Sequence, residues 1–254
     1  MTRGAAVFVL VASLVGGATG GVVATALVTR IAGPAPAGAA GADEVAAAAA
    51  AISPAVVTIV ITREGVDAWA SGVVVDKERG HIVTNSHVVE IPGAGDISDD
   101  LTVILPDGRT LGATVLGSDP KTDVAVIRAD GALPAQAELS TAVATVGSRV
   151  IAIGTPGSQL APQALANTVT VGIVSGTGRQ VPRADDRNVV LADLIQTDAS
   201  IGDGMSGGPL VLVATKQIIG VTTSFIRGQM DLGFAVPTAT VRRVLDEILA
   251  KGTP

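Results

Sequence analysis

The sequence predicts an all-β fold, either paired barrels or a sandwich, closed by one terminal helix. Three observations carry this reading. About twelve short β-type runs follow one another between residues 55 and 236, separated by Gly, Pro, Asp or Asn turns. The chain holds 31 glycines but only three Phe, one Trp and no Tyr, so many turns must join strands packed with Val, Ile, Leu and Ala. Over residues 238–250 the period changes: Val241, Val244, Leu245, Ile248 and Leu249 recur at helical spacing, with Arg242, Arg243, Asp246 and Glu247 on the other face. A chain of 254 residues buries a sizeable core, and an all-β unit of about 200 residues commonly counts as one domain.

Taken in order, the chain begins with an uncharged stretch between Arg3 and Arg30 that is long enough to span a bilayer, which needs about 20 mostly apolar residues. It reads as an uncleaved anchor or as a signal peptide with an A-x-A site at Ala24-Thr25-Ala26 or Ala35-Pro36-Ala37. The charge at the amino terminus favours N-inside, with the rest of the chain outside. Gly16 and Gly20, and Gly17 and Gly21, have the spacing that pairs helices in lipid, although an Ala/Gly-biased segment yields it without function. Residues 1–31 are thus anchor or signal, 32–42 a Gly/Pro/Ala tether, and 43–254 the globular domain. Asp43 caps a short helix to about Ala51, stopped by Ser53-Pro54. Strand runs follow at 55–62, 69–76, 81–84, 101–105, 110–117 and 123–129, then at 148–153, 167–175, 189–197, 209–214, 217–225 and 232–236.

Composition excludes several functions. A net charge of −6 with no basic stripe argues against a nucleic-acid partner. With no cysteine there is neither a disulfide nor thiol chemistry. No G-x-x-x-x-G-K-[ST] run offers a nucleotide site, and no organic cofactor or metal is implied.

The chemistry gathers at residues 196–212, where Ser206 stands between Gly204-Met205 and Gly207-Gly208-Pro209. A serine hydroxyl becomes a nucleophile when a base takes its proton and an unusual turn holds its backbone. Glycines permit that turn and leave N–H groups to face a developing oxyanion, donors worth roughly 3–4 kcal/mol each. A base is available. Of the two histidines, His87 lies in I-V-T-N-S-H-V-V. An acid, Asp123, precedes an apolar run in K-T-D-V-A-V-I. The order His87, Asp123, Ser206 is one of the known triad orders. His87 would take the serine proton and pass it to the leaving amine, while Asp123 holds the imidazole tautomer. His81 and His87, six residues apart with no acidic cluster nearby, make a poor metal pair, and His81 reads as a surface or strand-edge residue.

T-N-S-H-V-V, D-x-A-V-I, A-I-G-T-P at 152–156, T-V-T-V-G-I-V-S at 168–175, Q-T-D-A-S-I through G-G-P-L-V, and L-G-F-A-V-P at 232–237 resemble the trypsin-like protease domain of the HtrA (DegP-type) family. The resemblance runs from about Ile52 to Leu249. It implies a chymotrypsin/trypsin-like double six-stranded β-barrel with a C-terminal helix, preceded here by the N-terminal membrane segment. It also implies a serine endopeptidase.

Of the competing acids Asp119, Asp130 and Asp198, the resemblance selects Asp123, directly before the A-V-I strand. Asp119 fits an Asx turn, and Asp198 a structural place in Q-T-D. The oxyanion hole would be the N–H groups of Gly204 and Ser206. Met205 stands where the family usually has Asn, and Ile201-Gly202-Asp203 departs from the more usual Ile-Asn-Pro. By resemblance, Thr222, Thr223 and Ser224 would pair with an extended substrate, and Ser200 and Ile201 would border the first specificity pocket, for small or medium apolar side chains. Residues 176–188 correspond to the family's sensor loop or form a solvated hairpin tip. Relatives usually carry PDZ domains after the helix, where this sequence ends, and trimerise through aromatics that residues 30–68 lack.

The expected function is endoproteolysis of unfolded or damaged proteins outside the cytoplasm. The chain would be single-pass in the cell membrane with the protease domain extracytoplasmic, or secreted after signal cleavage. Its partners would be an extended polypeptide and the membrane, with homo-oligomerisation open. A narrow-specificity processing protease and a non-catalytic peptide-binding homologue are the alternatives.

Overall fold

The computed structural model describes residues 38–63, 66–90, 101–157, 165–183, 188–226 and 232–251. The chain divides into two units, Met1–Ala42 and Asp43–Pro254. The apolar stretch proposed as anchor or signal lies outside the described residues. Among those described, no helix is long and apolar enough to cross a membrane.

Helix α1 (Gly38–Ile52) begins before Asp43, so residues 38–42 of the expected tether are helical and Asp43 is interior rather than a cap. Alanine has the highest helix propensity, and six consecutive alanines at 46–51 supply this helix's centre. Ala48 and Ile52 bury their side chains in the main apolar cluster. Ser53–Ala55 form a single 3₁₀ turn with Pro54, which stops the helix.

Among the described residues twelve strands follow. β1 (Val56–Arg63), β2 (Val66–Asp76), β3 (His81–Thr84), β4 (Leu101–Ile104), β5 (Thr110–Asp119) and β6 (Val124–Ala129) close one antiparallel barrel in the order β1-β2-β3-β6-β5-β4. β7 (Arg149–Gly154), β8 (Thr168–Pro182), β9 (Val190–Thr197), β10 (Pro209–Leu212), β11 (Gln217–Ile226) and β12 (Leu232–Pro237) close a second, whose ring β7-β8-β9-β12-β11-β10 repeats that order six strands later. The expected runs all became strands. β8 runs on to Pro182, so most of the charged 176–188 segment is a strand and not a loop.

Two closed barrels leave no long open sheet edge, the device by which all-β chains avoid pairing with one another. α2 (Ser86–Val89) is a single turn after β3, and α3 (Thr238–Lys251) is the terminal helix. Val241, Val244 and Ile248 of α3 are buried with Val83, Val124 and Val126 of the first barrel and with Val181, Leu191, Val221 and Phe234 of the second. The helix thus seals the seam between the barrels, and on that seam the polar groups below converge. His81 is no surface residue: in β3 it is 9% exposed, and burial holds its imidazole below the ordinary pKa of 6.5.

Candidate active site

The site is assembled beyond strand ends, where side chains are freed from the barrel interior. β3 ends at Thr84, buried Asn85 turns the chain into α2, and His87 follows on that single turn. Asp123 stands immediately before β6 with a left-handed φ of 58°, a conformation that Asp tolerates better than most residues. Asn85 fixes that turn by donating its Nδ2–H to the Asp123 carbonyl at 2.9 Å.

The Asp123 carboxylate is fully buried and multiply held. His87 Nδ1 lies 3.0 and 2.9 Å from its two oxygens, and the His87 backbone N–H donates to Oδ1 at 3.0 Å. The Thr223 hydroxyl donates to Oδ2. An ionised carboxylate can only accept, so Nδ1 carries the proton and Nε2 is left as the basic nitrogen.

Ser206 comes from the other barrel, on the loop between β9 and β10. Gly204 and Gly207 take φ of 83° and 88°, which side-chain-bearing residues rarely adopt. A Cβ on Gly207 would lie 2.0 Å from the Ser71 carbonyl oxygen, and one on Gly204 2.4 Å from backbone atoms of Thr155 and Gly157. Neither the Gly204 nor the Ser206 N–H donates to any described group. The Ser206 hydroxyl donates to the Thr223 carbonyl at 3.1 Å.

Met205, the departure from the family pattern, does not leave the loop unsupported. Its side chain is buried among Val150, Ala152, Leu210 and Ile219 inside the second barrel. Its N–H donates to Gly202 at 3.1 Å, and its carbonyl accepts from the Gly208 N–H and from the Thr222 hydroxyl. The turn is therefore anchored by apolar burial on one side and backbone bonds on the other.

The residues expected to bind substrate have different surroundings. Ser200 is exposed, while Ile201 is buried against Gly233. The hydroxyls of Thr222 and Thr223 are committed internally, to the Met205 and Gly208 carbonyls and to Asp123 respectively. The cause is a register shift on β11: Thr222 faces Ala235 and Ser224 faces Phe234, so Thr223 is the extra residue of a bulge, which re-aims its side chain. Pairing of β11 with β10 ends at Val221, so β10 does not cover the backbone of residues 223–226. Asp198 accepts from the Ile173 N–H at 2.6 Å, the structural place expected, and Asp119 forms its Asx turn with Lys121 and Thr122.

Sequence reasoning missed Ser71. Its N–H donates to the Ser206 carbonyl at 2.8 Å, its hydroxyl donates to the Gly204 carbonyl at 2.9 Å, and that hydroxyl accepts from the Thr155 N–H at 2.9 Å. Thr84 donates in turn to the Ser71 carbonyl at 2.8 Å. A buried serine on β2 thus ties the Gly204 and Ser206 carbonyls of the glycine-framed turn to the first barrel. No local signal marks it, because its partners lie 84 and 133 positions away. Among the described residues no group of three or more His, Cys, Asp or Glu is placed to hold a metal ion.

Comparison with known proteins agrees with this architecture. A family model described as "Trypsin-like peptidase domain" matches residues 70–221. A probable periplasmic serine endoprotease DegP-like of Chlamydia pneumoniae is 40% identical over 177 residues, covering 68% of this chain and 33% of that protein. The serine protease Do-like HtrB of Bacillus subtilis (strain 168) is 37% identical over 186 residues, covering 70% and 37%. The chain thus spans about a third of the length of the curated relatives it matches. Among solved structures, the serine endoprotease from Yersinia pestis aligns with a TM-score of 0.66 at 30% identity, covering 82% of this chain and 67% of that one. The HtrA-type protease AlgW with tripeptide aligns with a TM-score of 0.68 at 34% identity, covering 82% and 64%. By sequence and by fold the chain belongs to the trypsin-like peptidases, with the DegP/HtrA proteases as its homologues.

Proposed function

We propose that this chain is a serine endopeptidase that cleaves extended segments of unfolded or damaged proteins through His87, Asp123 and Ser206. The observation that carries the reading is the buried Asp123 carboxylate, which fixes the His87 tautomer from one barrel while a glycine-framed serine arrives from the other. The Ser206 Oγ attacks the substrate carbonyl carbon, and His87 Nε2 accepts its proton. Rotation about one side-chain bond carries that proton from the Thr223 carbonyl toward the imidazole. The N–H groups of Gly204 and Ser206 receive the charge that develops on the carbonyl oxygen. His87 then protonates the departing amine, and water hydrolyses the acyl-enzyme by the same steps in reverse.

The backbone of residues 223–226, uncovered by β10, is where an extended substrate would add as a strand. Specificity then comes from pocket shape near Ser200 and Ile201 more than from the committed hydroxyls of Thr222 and Thr223. The uncharged stretch between Arg3 and Arg30, together with relatives described as periplasmic, supports action outside the cytoplasm from a membrane tether or after export.

The test is digestion of an unfolded protein beside a panel of folded ones, by the full chain and by Ser206→Ala. Cleavage confined to unfolded substrates, and lost in the variant by on the order of 10⁶-fold, is expected. Cleavage of one folded target alone would favour a narrow processing role. Peptide binding without cleavage by the parent chain would contradict the enzymatic reading.

A further inference from the structure

The second barrel reaches the His87 side of the site through a charged side chain outside the triad, that of Arg183. Arg183 follows β8 directly, its N–H donating to the Val189 carbonyl at 2.8 Å on the next rung of the β8–β9 hairpin. Its guanidinium crosses the seam. Nη2 lies 3.2 Å from Glu90 Oε2, and Nη1 donates to the Pro120 carbonyl at 3.3 Å. Both side chains are largely buried, with exposures of 8% for Arg183 and 16% for Glu90.

The two acceptors flank the two barrel-one members of the triad. Glu90 ends the turn that carries His87: its N–H donates to the Ser86 carbonyl at 3.0 Å, and its carboxylate accepts from the Ser86 hydroxyl. Residues 86 and 90 are thereby tied together around His87. Pro120 lies in the Asp119–Thr122 turn, which leads into the left-handed Asp123. One planar cation therefore joins the His87 turn to the Asp123 turn. Removing one partner of a buried pair leaves the other charge uncompensated, so neither element would keep its place at no cost.

We propose that Arg183 is a positioning residue: from the second barrel it clamps the α2 turn to the approach of Asp123 and so sets the His87–Asp123 pair in register. The proposal rests on the triad reading for its effect on turnover, but its effect on the His87 environment stands without it. A guanidinium is suited to the task because its fork engages two acceptors in fixed geometry, which an ammonium does not. In this scheme Arg183 acts on the reaction through the pair.

The experiment uses the full chain, selectively ¹⁵N-labelled at histidine, as parent, Arg183→Met, Arg183→Lys, Glu90→Gln and the Arg183→Met/Glu90→Gln double variant. Two histidines give two sets of ring signals, and His81, in β3, is the internal control. In Arg183→Met the hydrogen-bonded Nδ1 proton of His87 should broaden or shift while the His81 signals stay in place. The kcat of peptide cleavage and the rate of fluorophosphonate labelling should fall on the order of 10- to 100-fold with KM within about twofold, as small misplacement does. Arg183→Lys should recover only part of the loss, and the double variant should be no worse than the worse single one.

Unchanged His87 signals and unchanged kcat in Arg183→Met would overturn the clamp. So would full activity in Arg183→Lys, which would reduce the role to bulk charge. If Arg183→Met loses both histidine signals by unfolding, Glu90→Gln and Arg183→Lys must still show the selective His87 change, or the clamp is wrong. If the parent neither labels nor cleaves but the His87 signals respond as described, the endopeptidase reading fails and the clamp stands.

Discussion

The first barrel places His87 and Asp123 at the ends of β3 and β6, while the second places Ser206 on the loop between β9 and β10. Both rings have the same strand order, yet they contribute in different ways. The first works through side chains: an imidazole, a carboxylate, and the Asn85 amide that holds the Asp123 turn. The second works largely through backbone. Two glycines at positive φ, one buried Met205 and a bulge at Thr223 shape a turn in which N–H and C=O groups carry most of the contacts. At the site, the first ring should therefore be sensitive chiefly at the atoms of those side chains. The other should fail when a single methyl group is added.

The largest test of that contrast is Asp123→Asn. The amide keeps the size but can no longer accept at both oxygens, so the imidazole is released into the wrong tautomer. A fall of about 10⁴-fold in kcat with nearly unchanged circular dichroism and Tm is expected. Unfolding instead would mean that the carboxylate serves the barrel more than the base.

On the other side, Gly207→Ala should cost stability and activity together. Its Cβ would meet the Ser71 carbonyl at 2.0 Å, and its φ of 88° is strained for any side chain. A destabilisation of about 3 kcal/mol or more in chemical denaturation is expected. A variant as stable as the parent would show that the turn is looser than described.

Thr223→Val lies between these extremes, because its side chain comes from the second barrel but serves the carboxylate of the first. Loss of a hydrogen bond to a charged group is worth about 1.5–3 kcal/mol, so kcat should fall roughly 10- to 100-fold, measured with a short peptide. A rise in KM alone would show that the Thr223 side chain serves substrate binding rather than the Asp123 carboxylate.

The smallest effect concerns His81. Its folded pKa is lowered, chiefly by burial, so the unfolded chain takes up a proton first as pH falls below the ordinary value of 6.5. Stability contributed by neutral His81 is present above that value and is lost as pH falls through the lower folded pKa. His81→Gln should flatten the acid side of the Tm–pH curve, and an unchanged slope would show that other groups govern it.

The strands were legible because period and turn chemistry are local. Each of the twelve runs alternates or stays apolar between breakers and became a strand, all near their expected bounds except β8, which runs on to Pro182. His87, Asp123 and Ser206 stood out as candidates because each sits in a short motif with a chemical reason. The structure brings His87 and Asp123 into contact and sets Ser206 against Thr223. Ser71 and Arg183 were not legible, since most of their partners lie in loops and turns far along the chain and no spacing rule links them. The Thr223 hydroxyl's role at Asp123 was not legible either, because the bulge that aims it leaves no mark in the hydrophobic pattern. The start of α1 was missed because an alanine-rich stretch reads equally as tether or helix until packing decides.

The convergence of both barrels on one reaction is tested most directly by stoichiometric labelling with a fluorophosphonate, read by mass spectrometry of the tryptic peptide. The parent should carry one adduct per chain, on Ser206, and both His87→Ala and Ser206→Ala should carry none on the timescale of the parent. Labelling of the parent at another serine, or undiminished labelling of Ser206 in His87→Ala, would contradict a nucleophile from one barrel activated by a base from the other.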